Sequence, residues 1–173
     1  MSAPRRNLEV KSRCLDLQAA AAQVGHLGAR YVGLEVQTDT YFRVPSGRLK
    51  LREIESQEAL LIGYSRPDQT GARLSDYHLV PVLDTAAIKA LLTEMLGVRG
   101  VVSKRRHIWL WDNVRIHLDE VKGLGSFIEF EAVLKSSAEE IAAPAQIAEL
   151  CRLLQIASCD LLAPSYADLL GLV

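Results

Sequence analysis

Three cations stand at alternate positions in the stretch Gly47 to Ile54, GRLKLREI: Arg48, Lys50 and Arg52. In an extended chain alternate residues share one face, about 7 Å apart, so these like charges repel and call for water, carboxylates or a bound anion opposite them. Single-signed pairs recur at the same spacing, Lys104 with Arg106 and Glu129 with Glu131. Surface strands ordinarily mix signs and small polar residues. Segregated rows point instead to a site that holds an oligoanion together with its metal. Guanidinium forks and ammonium groups suit a triphosphate, and Mg²⁺ or Mn²⁺ takes a few hard carboxylate oxygens.

The elements that must position these rows can be read from periodicity. Asn7, Glu9, Lys11 and Arg13 share one parity of a first strand, with Leu8 and Val10 on the other. Asp16 caps an alanine-rich helix ending near Leu27 and Gly28. Tyr31 to Val44 reads as a long strand carrying Gln37, Asp39, Tyr41 and Arg43 on one face, and Pro45-Ser46-Gly47 turns it into the cationic stretch. Strands follow over Ala59 to Tyr64 and Arg73 to Val82; Asp84 then caps a second helix, TAAIKALLTEML, that Gly97 stops.

Val101 to Trp111, Val114 to Val121 and Phe127 to Leu134 form a further run of strands joined by tight turns, with Arg115, His117 and Asp119 on one parity of the middle one. A third helix opens on Ser137 with Glu140 in capping-box spacing, and Pro144 is expected to break or kink it. A short helix near Tyr166 to Leu170 ends the chain. Arg73 and Lys122, at loop margins, are expected in solvent, and Trp109, Trp111 and Tyr166 are expected to pack outside against helices. His117 could line the same face as Arg115 or serve structure alone.

About eight strands arise, at least five with one ionic and one aliphatic face. Such strands either lay an open sheet on helices with its ionic face in water, or close into a barrel whose lumen takes the ionic residues. The one-signed rows favour the barrel.

The 173 residues, 49% of them hydrophobic, suffice for a single domain, residues 1–173. Twenty basic and 21 acidic residues leave a net charge of −1, so no global field recruits nucleic acid or an anionic membrane. Cys14, Cys151 and Cys159 show no pairing pattern, as suits reduced thiols. With no apolar leader and no run of 18 apolar residues, the expected location is cytoplasmic. Neither a GxxxxGK[ST] loop nor a GxGxxG loop is present, so phosphate is not cradled by a helix N-terminus.

Several stretches taken together, NLEVK at 7–11, QTDTYFRVPSGRLKLREI at 37–54, YSRPD at 64–68, KRRHIW at 104–109 and IHLDEVKGLGSFIEFEAVL at 116–134, resemble the CYTH domains, or triphosphate tunnel metalloenzymes, and within them the bacterial class IV adenylate cyclase-like branch. The resemblance implies an α+β fold, an eight-stranded antiparallel closed β-barrel with helices packed outside. It implies Mg²⁺ or Mn²⁺ and a triphosphate substrate: ATP for a cyclase releasing cyclic AMP and pyrophosphate, or thiamine triphosphate or tripolyphosphate for a phosphohydrolase. A non-catalytic module that binds nucleotide or polyphosphate is a third reading, and a homodimer is a further expectation. By position, Glu9, Asp119, Glu129 and Glu131 match metal ligands and Lys11 matches the signature lysine, a general-base candidate. Arg48, Lys50, Arg52, Arg66, Lys104, Arg106 and Arg115 match the phosphate-facing cations. Asn7 stands where the family's ExExK signature has its first glutamate, which removes a charge from one metal site.

Overall fold

The computed structural model describes residues 4–67 and 69–172. Eight strands, β1 Arg5–Arg13, β2 Arg30–Phe42, β3 Arg48–Ile54, β4 Ala59–Ser65, β5 Arg73–Val82, β6 Val98–Trp111, β7 Val114–Val121 and β8 Gly125–Leu134, close in the order β1-β5-β4-β3-β2-β6-β7-β8. Every neighbouring pair is antiparallel. The open-sheet alternative is thereby excluded. Closure fixes the two parities: one face of each strand lines a lumen and the other meets helices or water.

Helices α1 Leu17–His26 and α3 Ser137–Leu153 cover the outer face of β1, β8 and β7. Ala20 and Val24 of α1, and Ala143, Ile147 and Leu150 of α3, pack on Leu8, Val10, Ile116 and Phe130. Trp109 and Trp111 join this layer as expected. Helix α2 Thr85–Leu96 lies beside Phe42, Leu51 and Val82 through Ile88, Leu92 and Leu96. Asp16 and Asp84 cap α1 and α2 by accepting hydrogen bonds from first-turn amides. No helix of the described residues is long and apolar enough to cross a membrane.

Two local expectations are corrected. The cap of α3 is Ser136, one residue earlier than expected, and its hydroxyl accepts from the Glu139 amide. Pro144 does not break the helix, which runs unbroken to Leu153. Pro144 sits on the exposed side, next to the buried Ala143, Ile147 and Leu150 stripe, and the packing of that stripe on the barrel offsets the hydrogen bond that proline cannot donate.

After α3 the chain folds back across one mouth of the barrel, through a 3-10 turn at Ser158–Asp160 to α4 Tyr166–Leu169. Arg66 and Arg73 donate to the Ala163 and Leu162 carbonyls of that segment. Asp168 receives Arg48 at 3.2 Å and Arg99 at 2.6 Å. These contacts shut the mouth at which β3, β5, β6 and β8 begin, and leave the opposite mouth open.

Candidate triphosphate site

The lumen holds a cavity of about 450 Å³, within the roughly 300–1,000 Å³ range of small-ligand sites. Of the twelve residues that the sequence singles out, ten line it: Lys11, Lys50, Arg52, Arg66, Lys104, Arg106, Arg115, Glu9, Glu129 and Glu131. The other two sit apart from the lining. Arg48 lies at the shut mouth against Asp168, and Asp119, fully buried, takes the Arg106 guanidinium at 2.7 and 2.6 Å and the Tyr166 hydroxyl at 2.8 Å.

The floor is a paired-charge layer. The cation row of β3 does meet something negative, and it is Asp39 of β2. Arg52 reaches both of its oxygens at 2.7 and 2.9 Å, Lys50 lies at 2.8 Å and Lys104 at 3.6 Å. Burial alone would raise the Asp39 pKa, but Arg52, Lys50 and Lys104 outweigh it and hold the carboxylate well below its usual range. The lysines are affected the other way. Burial, with Arg106 and Arg52 adjacent, lowers Lys104 to about 7, and burial beside Arg52 lowers Lys50 to about 8.

On the facing wall, register sets Glu9 opposite Glu131 and Lys11 opposite Glu129 across β1 and β8, and His117 opposite Glu129 across β7 and β8. Glu129 is bound by Lys11 at 3.1 Å and Arg106 at 2.5 Å, and these two cations overcome its burial and hold it ionised. Burial lowers the Lys11 pKa, while Glu129 opposes the change. Glu9 behaves oppositely: burial and the nearby Glu131 raise its pKa against the pull of Arg66 and Arg73. A carboxylate driven up by its neighbours is one that a divalent cation would relieve.

The donor set therefore fits a hard metal. Glu9, Glu129 and Glu131 line the same wall of the lumen, with Glu9 opposite Glu131 in register, and donor atoms of His117, Glu129 and Glu131 lie within 4.8 Å of one another; in that wall Asn7 Oδ1 and His117 Nδ1 are buried with no hydrogen-bond partner among the described residues. Seven cations and four carboxylates line the cavity; behind the lining Asp39 and Asp119, offset by the buried Arg73, cut the excess to two. Most of the field needed for an oligoanion would then come from bound metal.

Arg73, expected in solvent, is buried at 1% exposure and donates to Glu9 at 3.1 Å, because the returning C-terminal segment covers the start of β5. Lys122 is exposed as expected. Tyr166, expected outside, instead presses its ring under Lys11, 4.0 Å from the ammonium, and lines the cavity floor. Asp39, Gln37 and Glu35 are wall residues that sequence reasoning did not assign. Their shared parity with Tyr41 was visible, but their partners lie on other strands.

At the open mouth the lining changes character. Val32, Ile54, Leu60, Leu79, Ile108 and Leu110 form an apolar collar above the charged interior.

Comparison with known proteins agrees with this architecture. The family model described as the CYTH domain matches residues 5–166. A Methanocaldococcus jannaschii protein named "Putative adenylate cyclase" is 23% identical, over 95% of this chain and 98% of its own length. The Pyrococcus horikoshii protein PH1012 superposes with a TM-score of 0.82 at 27% identity, covering 94% of this chain and 98% of its own. A Hippeastrum protein, described as an adenylyl cyclase by assignment with a dominant triphosphatase activity, shares the fold at a TM-score of 0.62 and 13% identity, covering 96% and 94% of the two chains. With the closed eight-stranded barrel, the charged lumen and a family match over nearly its whole length, the chain belongs to the CYTH domain family.

Proposed function

We propose that the protein is a metal-dependent enzyme that acts on a nucleoside triphosphate, in the manner of a class IV adenylate cyclase, converting ATP to cyclic AMP and pyrophosphate. The observation that carries this reading is the division of the lumen into a cationic interior and an apolar collar. Inorganic tripolyphosphate has no use for the collar. An organic group on one end of the phosphate chain does.

Arg52, Lys50, Lys104 and Arg106 hold the phosphate chain extended over the floor, and Arg66, just after β4, and Arg115 of β7 flank it. Glu9, Glu129 and Glu131 would hold Mg²⁺ or Mn²⁺, which when bound offsets charge on the phosphate oxygens. The 3′-hydroxyl oxygen forms a bond to the α-phosphorus as the bond from that phosphorus to the bridging oxygen of pyrophosphate breaks. Lys11 takes the hydroxyl proton, its pKa lowered by burial. Lys104, lowered to about 7, is the second group able to do so.

Hydrolysis of the terminal phosphorus by water is the second reading, supported by the Hippeastrum relative. One assay tests both. Purified protein with Mg²⁺ or Mn²⁺ is given ATP, thiamine triphosphate and tripolyphosphate in parallel, and cyclic AMP, pyrophosphate and orthophosphate are resolved. Cyclic AMP with equal pyrophosphate is the expected result. Orthophosphate would establish the hydrolase, and no product from a protein that triphosphate still protects against heat would establish a binding module.

A further inference from the structure

We propose that His117 is a metal ligand, completing with Glu129 and Glu131 a mixed nitrogen and oxygen site that prefers Mn²⁺ and other first-row transition ions to Mg²⁺. The proposal deepens the reading above and rests on it only in placing a metal in the lumen.

His117 projects inward from the middle of β7 and is 4% exposed. Its Nδ1 has no hydrogen-bond partner among the described residues, yet lies 3.9 Å from Glu129 Oε2 and 3.8 Å from Glu131 Oε1. Those separations are too long for hydrogen bonds, so the ring nitrogen faces both carboxylates without being bound to either. They suit a shared ion. Ligand atoms about 2.1 Å from one metal are roughly 3.0 Å apart at right angles and about 4.2 Å apart when opposed, and the observed values fall between. One donor from each of the three residues lies within 4.8 Å of the others, so the two carboxylates would draw in slightly to close on one ion.

The remaining bonds leave room for this. Glu129 gives one oxygen to Lys11 and the other to Arg106, and a carboxylate oxygen keeps a second lone pair. Among the described residues, the second oxygen of Glu131 meets only the distant Arg115, at 3.8 Å. Of the four histidines, His26 and His78 are exposed and His107 meets the Tyr31 hydroxyl at 3.0 Å, so His117 is the one that faces the lumen. Imidazole is a ligand of transition ions, whereas Mg²⁺ takes oxygen and water.

The test needs no substrate. Full-length protein, freed of metal, is titrated with Mn²⁺ and Mg²⁺ by calorimetry, and pulsed EPR of the Mn²⁺ form is recorded with natural-abundance and ¹⁵N-labelled histidine. The expected results are Mn²⁺ binding at least tenfold tighter than Mg²⁺ and a nitrogen coupling that changes with the label. In His117→Ala that coupling vanishes and Mn²⁺ affinity falls roughly tenfold or more, while Mg²⁺ affinity moves less than about threefold. Mn²⁺ bound without histidine nitrogen coupling, or no Mn²⁺ binding at all, overturns the proposal. The labelled wild-type spectrum decides even if the variant fails to fold. Heat protection by tripolyphosphate in chelator reports separately on the triphosphate reading, so the two can fail independently.

Discussion

The Tyr166 hydroxyl donates to the Asp119 carboxylate at 2.8 Å, joining the end of the chain to the floor of the barrel. Asp119 also takes both arms of Arg106, which in turn holds Glu129. Asp119 therefore positions the cation and carboxylate that face the cavity without lining it.

Asp119→Asn should take away one of the two carboxylates that hold the buried Arg106, leaving Glu129 as the other, and cost about 3 kcal/mol in denaturant unfolding. Tyr166→Phe, which keeps the ring under Lys11, should cost only about 1 kcal/mol. Mn²⁺ affinity should change less than about threefold in Asp119→Asn and fall tenfold or more in Glu131→Gln. A folded Asp119→Asn protein that no longer binds Mn²⁺ would return Asp119 to the ligand set.

Lys104 gives a pH prediction whose sign can be worked out. Its folded pKa is about 7 against an ordinary 10.5, so between those values the unfolded chain binds more protons and stability rises with pH. Lys50, at about 8, adds to the same trend over a narrower window. A bound triphosphate should restore the charge of Lys50 and, unless Lys104 is the base, of Lys104. Calorimetric titration of tripolyphosphate at pH 8, in buffers of different ionisation enthalpy, should show uptake of roughly one proton, and Lys104→Met should abolish most of it. The same variant, assayed across pH beside Lys11→Met, identifies the base: the one that removes the alkaline-side activity entirely held the proton.

The strand parities were legible because a period of two is local, and every lumen-facing row follows from it. Pairing partners were not. Asp39 shares a face with Gln37 and Tyr41 in the sequence, but Lys50, Arg52 and Lys104 converge on it only once β2 is set between β3 and β6. Arg73 and Tyr166 were misplaced for one reason. Nothing local to either residue announces that residues 158–172 fold back over the barrel mouth, a contact 89 positions apart for Arg73 and Leu162. Pro144 failed as a helix breaker because its propensity is local and the packing that overrides it is not.

Asn7 should behave as a tunable metal position. Its Oδ1 is buried without a partner among the described residues, beside a wall in which Glu9 is already driven up by burial and by Glu131. Asn7→Glu adds another carboxylate, so the metal-free protein should melt several degrees lower and recover on adding Mn²⁺. A working second site would raise Mn²⁺ stoichiometry from one to two and turnover about tenfold. Unchanged stoichiometry, with the melting temperature still depressed, would mean that one metal suffices.

The apolar collar decides between an organic and an inorganic triphosphate. Leu60 and Ile108 line it from β4 and β6, each only partly buried and outside the packed helix-facing clusters, so polar replacements there should leave the fold intact. A fully used apolar contact contributes about 1.5 kcal/mol or more, close to tenfold in affinity. Leu60→Asn and Ile108→Asn should each raise KM for ATP about tenfold while tripolyphosphate inhibition stays within about twofold, because the inner cations are untouched. Equal loss for both ligands would mean that the collar shapes the mouth without contacting substrate. Equal affinity for both in the wild-type protein would remove the argument for a nucleotide and leave the phosphate chain as the only part the lumen reads.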